Sequence, residues 1–283
     1  MYQKALLMLA LIFAPGMASA GTAKIEVVCS FSILEDWCHK ILKEKGLTHS
    51  LVPIKGELHE FQLSAQDVVR LKRSQVVVGF SPDSETWLHD WAKSSPNHRV
   101  IWLGVNEDGT RLPAHGWTDP LLVMTMVTRL CAELNKSDPS LHLSHEQMLK
   151  EAQSVDSELK ALFSALPAER RKLVTQHPNL NPFAARYGIK IVGTLLESAS
   201  GEAADTSARH FSRLLKSIKA EGVRVIVSDE GHNQEMARRI ASDAGIPSPI
   251  TLNFESLPSA QGSSWKSMML LQGRMLHEAM MLR

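Results

Sequence analysis

Short runs of apolar and β-branched residues alternate along this chain with longer stretches in which apolar positions recur every three or four residues. The runs fall into two sets of four: Ile25–Cys29, Ser50–Ile54, Val76–Phe80 and Val100–Leu103, then Lys172–Thr175, Ile189–Thr194, Val223–Val227 and Ile250–Phe254. Continuous apolar runs of this length fit strands buried on both faces, which is the habit of parallel sheets. Helical periodicity fills the intervals. Ile33, Trp37 and Ile41 are spaced by four within Ile33–Lys45, and Phe211, Leu214, Leu215 and Ile218 share one face of Ser207–Ala220. Strand and helix alternate in each set, and parallel strands need crossover helices, so the expected class is α/β. The architecture predicted is two similar lobes, each a four-stranded, mainly parallel sheet with flanking helices.

Between the two sets, Met148, Ala152, Val155, Leu159, Leu162 and Leu166 recur at spacings of three and four through Ser144–Leu166. Asp138-Pro139 precedes this stretch and Pro167 follows it, so its ends are punctuated. The pattern predicts one long rigid helix (144–166) joining an N-terminal lobe (21–143) to a C-terminal lobe (167–283). A single helical connector restricts lobe movement to a small rocking motion.

The N-terminus changes the picture of where the chain works. Lys4 supplies a positive charge, Ala5–Ala14 an apolar run, and Ala18-Ser19-Ala20 a small-residue cleavage signal, which together predict a signal peptide over residues 1–20 and export of a chain beginning near Gly21. The apolar run is too short to span a bilayer and no cysteine stands at the cleavage point to take a lipid, so no direct membrane insertion is expected. Lys+Arg number 31 against Asp+Glu 30, interspersed along the chain, which argues against a nucleic-acid partner or an anionic membrane surface. The three cysteines Cys29, Cys38 and Cys131 are an odd number and lack the paired spacing of a zinc-thiolate site. Cys131 reads as a small buried hydrophobe.

Metal-ligand residue types fall where ligands bind in open α/β sheets, beyond the carboxyl ends of the strands. His59 follows the second run, His115 the fourth, His177 the fifth and Glu255 the last, so each half contributes two. Three imidazoles and a carboxylate converging on a cleft would satisfy tetrahedral zinc. Glu57 and Glu60 are alternative oxygen donors beside His59. His232, in Asp229-Glu230-Gly231-His232, follows another run of the second half and is assigned a supporting or surface role. His39, His89, His98, His142, His145, His210 and His277 lie in helical or loop runs and are left as solvated or otherwise satisfied residues. Binding to such a shell is expected to weaken as pH falls through about 6 to 7, because protonated imidazole cannot ligate.

With these segments in view, the chain resembles the zinc- and manganese-specific substrate-binding proteins of ATP-binding cassette importers over essentially its whole exported length. The most specific match is His115-Gly116-Trp117-Thr118-Asp119-Pro120, similar to the family's His-x-Trp-x-Asp-Pro segment. Phe31-Ser32-Ile33-Leu34, His59 to Asp67, Arg171 to His177 with Tyr187-Gly188, and Leu252 to Leu257 resemble the opening and the remaining ligand segments. The resemblance implies a periplasmic protein that is not an enzyme, with Zn2+ (or, second, Mn2+) as transported cargo in the cleft. It also implies the membrane permease of an importer as partner; a monomer is expected. Glu255 stands where the family usually has aspartate, Pro178 and Pro182 depart from its pattern, and the segment from Val105 to Pro113 is short where many zinc-specific members carry a histidine-rich loop. Two readings from other classes stand beside this one: a secreted metallohydrolase, which would need an open coordination position and a general base, and a metal-free adhesin or interaction protein of the same fold.

Overall fold

The expected strands assemble into two sheets of four, each wholly parallel. The computed structural model describes residues 24–54, 56–196 and 208–282; the expected signal peptide (1–20) and Ser207 lie outside them. The first sheet holds β1 (Ile25–Cys29), β2 (Gly46–Ser50), β3 (Val76–Gly79) and β4 (Val100–Trp102) in the order β2-β1-β3-β4. The second repeats it with β5 (Lys172–Thr175), β6 (Lys190–Thr194), β7 (Val225–Asp229) and β8 (Ile250–Leu252) in the order β6-β5-β7-β8. In each half the chain steps outward from the first strand to the second and then crosses to the other side for the third. That reversal leaves a crevice at the carboxyl ends of β1 and β3, and of β5 and β7, the place where such sheets hold ligands.

Helices α1 (Ser32–Leu42), α2 (Ala65–Arg73), α3 (Thr86–Ser94) and α4 (Pro120–Ser137) flank the first sheet, and α6 (Asn181–Tyr187), α7 (Ala208–Glu221), α8 (Glu235–Ala244) and α9 (Trp265–Leu282) the second. Local chemistry sets several of their ends. At α2 the Ser64 hydroxyl accepts the Asp67 N–H at 3.2 Å while the Asp67 carboxylate accepts the Ser64 N–H at 3.0 Å. At α4 the Asp119 carboxylate accepts the Leu121 N–H at 2.9 Å and Pro120 occupies the first turn, so the Asp-Pro pair after His115 is a helix start. Between the sheets runs α5 (Glu146–Ser164), which buries Met148, Ala152, Val155, Leu159 and Phe163 against α4 and α9. Phe163, outside the predicted apolar series, is as fully buried as Ala152, Val155 and Leu159, whereas Leu162 is only partly buried.

Two strands sit elsewhere than the apolar runs indicate. β2 occupies Gly46–Ser50 rather than Ser50–Ile54, because it is an edge strand whose register on β1 pairs Ile25 with Gly46 and Cys29 with Ser50. An edge strand tolerates the polar Thr48 and His49, whereas Pro53 in the expected run has no N–H for a ladder. β7 is displaced two residues toward its carboxyl end, from Val223–Val227 to Val225–Asp229, so that Ser228 and Asp229 are strand residues and buried.

One hydrophobic cluster runs through both halves, from Val27 and Phe31 through Trp117, Val155 and Phe163 to Phe183, Phe254 and Trp265. Hydrogen bonds cross with it. The Trp117 indole donates to the Phe254 carbonyl (2.7 Å), the Trp265 indole to the Trp117 carbonyl (2.8 Å), and the Leu257 N–H to the Ser32 hydroxyl (3.0 Å). Cys29, Cys38 and Cys131 are all buried free thiols. Among the described residues no helix is long and apolar enough to cross a membrane.

Candidate metal centre

His177 follows β5 and is held from both sides. Its Nδ1 lies 2.6 Å from an Asp229 carboxylate oxygen at the end of β7, and its Nε2 lies 2.8 Å from Glu255 Oε1, just beyond β8. Asp229 is itself fixed: its second oxygen accepts the Asn179 amide at 2.9 Å, and its backbone N–H donates to Gln176 at 3.0 Å. Pro178 opens a short 3-10 turn and Pro182 lies in the first turn of α6, positions where a missing N–H costs nothing, so both departures from the family pattern are helix-start residues.

His115 approaches the same carboxylate from the first half, with Nε2 3.2 Å from Glu255 Oε1. Its backbone is in the left-handed region (φ 57°), uncommon for a residue with a side chain. A 3-10 turn over Gly116–Thr118 holds it there, with the Thr118 N–H and hydroxyl both donating to the His115 carbonyl. Trp117 in that turn packs 5.1 Å from the imidazole, centroid to centroid, and its bond to the Phe254 carbonyl ties the His115 turn to the residue preceding Glu255. The Asn253 side chain accepts the N–H groups of Glu255 and Ser256 (3.0 Å each) and shapes the loop that presents Glu255. A single oxygen of Glu255 therefore meets an imidazole from each half.

His59 lies beside this trio rather than within it, its ring 5.8 Å from that of His115. Its Nδ1 faces the Ser84 carbonyl at 3.3 Å; a carbonyl only accepts, so Nδ1 carries the proton and Nε2 keeps its lone pair. The Ser84 loop is anchored by Glu85, a fully buried carboxylate that accepts the N–H groups of Phe80 (2.9 Å) and Ser81 (2.6 Å). His59 Nε2 and both ring nitrogens of His115 are buried with no hydrogen-bond partner among the described residues, the 3.2 Å approach of His115 Nε2 to Glu255 being a contact without hydrogen-bond geometry. Buried imidazole nitrogens left this way are costly unless a ligand completes them.

Electrostatics follow from the packing. Burial pushes the Glu255 carboxyl up, but His115 and His177 more than reverse this and hold it well below the usual carboxylate range. Burial pushes His177 down, and the bonds from Asp229 and Glu255 override it to raise the group to about 10. Burial also lowers His59, the stronger influence there, which keeps its imidazole neutral and able to ligate. The donor atoms of His115, His177 and Glu255 all lie within 4.8 Å of one another. Tetrahedral zinc with bonds of about 2.0–2.2 Å separates its ligands by about 3.3–3.6 Å, a small relaxation from the present contacts.

The sequence pattern overlooked Asp229, because the run ending at Val227 concealed that the strand continues to it. Asn179 and Gln176, beside His177, were equally unmarked. Glu60 is exposed, and Glu57 pairs with His232 at 2.8 Å instead of joining the trio.

Residues 27–279 match the model of the family described as ZnuA, zinc-uptake complex component A, periplasmic. The chain belongs to this family. A relative within it is the high-affinity zinc uptake system protein ZnuA of Bacillus subtilis, 24% identical over 86% of this chain and 82% of that protein. Among solved structures, the periplasmic zinc binding protein TroA from Treponema pallidum superposes with a TM-score of 0.77 at 18% identity, covering 91% of this chain and 99% of TroA. A mutant of the laminin-binding adhesin Lmb from Streptococcus agalactiae gives 0.77 at 21% identity, covering 90% and 99%. At these identities the superpositions establish a fold shared with these two proteins.

Proposed function

We propose that this chain is a periplasmic solute-binding protein that captures a divalent transition metal between its two lobes, zinc first and manganese second, and delivers it to the membrane permease of an ABC importer. The observation that carries the reading is the meeting of His115 and His177, one from each half, on one oxygen of Glu255, with a neutral His59 alongside. Imidazole-rich donor sets favour zinc over manganese, and an all-protein shell of four favours holding an ion over activating water. His59, His115, His177 and Glu255 form the proposed shell, with Asp229 orienting His177 as carboxylates do for metal-bound imidazoles. The lobe boundaries, residues 21–143 and 167–283 joined by 144–166, the cleaved leader and the monomeric state belong to the same proposal.

Elemental analysis of protein purified without chelator, with competitive zinc and manganese titrations, tests it. Stoichiometric metal and tighter binding of zinc are expected; failure of both metals to bind at about micromolar affinity would overturn the reading and leave the adhesin alternative. Ester or peptide hydrolysis by the zinc-loaded protein would instead favour a metallohydrolase.

A further inference from the structure

On its Glu255 side the shell is only partly covered, the Glu255 side chain keeping 17% of its exposure. Glu57, in the loop after β2, and His232, in the loop after β7, meet there across the two halves, with His232 Nε2 2.8 Å from a Glu57 carboxylate oxygen. Their side chains keep 25% and 21% of their exposure, whereas those of His115 and His177 keep 2% and 3%, so the pair lies nearer water than these two imidazoles. It is also connected to the shell. The other oxygen of Glu57 accepts the His59 N–H at 3.2 Å, and the His232 ring lies 5.6 Å from that of His177. Between the pair and Glu255 is a cavity of about 40 Å3, walled by Glu57, Asp229, Glu230, His232 and Glu255 among others. That is room for a water or a largely dehydrated cation.

A wider pocket of about 420 Å3 reaches His59 and His115 from the other side, entirely within the first half. Arg111 stands in its wall, ion-paired with Asp83. Asp83 neutralises that guanidinium, so a cation moving that way meets no net negative charge from the pair, whereas one moving through the smaller cavity passes carboxylates. The carboxylates of Asp229, Glu230 and Glu255 therefore draw a cation toward the smaller cavity, where the Glu57–His232 contact joins the two halves.

We propose that this contact is the gate of the cleft: a removable bridge between the halves that must break before a cation enters or leaves, and that sets the rate of metal exchange rather than the affinity. The inference rests on the metal-binding reading above. Glu57 and His232 are outside the trio of converged donor atoms, so their removal takes no ligand from the ion. A charge-assisted hydrogen bond that must be broken on the way in and on the way out slows both directions by the same factor.

Stopped-flow zinc association, and dissociation into excess chelator, should be measured on the parent protein and on Glu57→Ala, His232→Ala, the double variant and Arg111→Ala. Both rate constants are expected to rise about tenfold in each gate variant, and the double variant should match the singles because one contact is lost in all three; Kd should hold within about threefold in the His232 variants, while Glu57→Ala, which also loses the acceptor of the His59 N–H, is read on its two rates. Arg111→Ala should exchange like the parent. Glu57→Gln and His232→Gln, which keep side-chain volume, should move in the same direction and guard against a folding defect. Unchanged rates in a parent that binds zinc would overturn the gate alone. So would a Kd that rises through dissociation only, which would make the pair part of the shell, or faster exchange in Arg111→Ala, which would put the entrance on the opposite side. A parent that binds no zinc would overturn the metal-binding reading itself.

Discussion

Asp229 decides what His177 can do. The carboxylate fixes the ring plane and the proton on Nδ1, so Nε2 points at Glu255. Replacing such an outer carboxylate typically costs about 10–100-fold in metal affinity, and Asp229→Asn is expected to fall in that range by competitive titration while retaining the parent's circular dichroism. The same arrangement sets the pH response. Because His177 is raised to about 10, the metal-free protein carries a proton on the imidazole at neutral pH, and zinc has to displace it. Binding should release protons, read by calorimetry in buffers of different ionisation enthalpy, and affinity should go on rising well above the ordinary histidine range. Stability runs the other way. The His177 contribution is fully present below the unfolded value of about 6.5 and is lost as pH rises toward about 10. Glu255, held below its unfolded value, contributes above about 4.3 and loses that contribution as pH falls. Metal-free protein should therefore unfold at its highest temperature between these limits, and His177→Gln should flatten the alkaline side.

Among the elements, α5 carries the connection between the sheets through one buried face. Phe163 on that face meets Phe183 edge-on at 5.5 Å and stacks with Tyr187 at 5.7 Å. Truncating a fully buried phenylalanine costs about 3–5 kcal/mol, so Phe163→Ala should lower the urea midpoint by the corresponding amount without changing which residues bind metal. Periodicity located this helix and most of its apolar face. It misjudged β2 and β7 for a shared reason: apolar runs mark buried length, while the register of a parallel sheet determines which residues pair. At β2 the edge position admits His49 and Thr48; at β7 the carboxyl end is polar because it faces the candidate centre rather than the core.

The continuous core governs the whole molecule. With Trp117, Trp265 and Phe254 packed and hydrogen-bonded across the halves, wide separation would expose buried indoles, so metal binding should change the radius of gyration by very little in small-angle scattering. Binding energy should appear as stability instead. Ligand at about 1,000-fold over Kd stabilises the native state by about 4 kcal/mol. Zinc should raise the unfolding temperature of the parent by several degrees and that of His115→Ala by much less.

Much of this was legible along the chain because it depends on periodicity and on residue type. The alternation of runs, the connecting helix and the positions of His59, His115, His177 and Glu255 after strands all follow from local order. The family-like segments marked the same residues. Tertiary structure alone decided which of these atoms meet: one Glu255 oxygen serves His115 and His177, His59 stands to the side, and Glu57 turns to His232 rather than to the trio. It alone brought in Asp229, Asn179 and Gln176, whose partners lie 50 to 53 positions away in the chain. Sequence spacing specifies the face and the end of an element on which a side chain emerges, but contact across a cleft depends on the relative placement of two sheets, and a shared core built from both halves sets that placement.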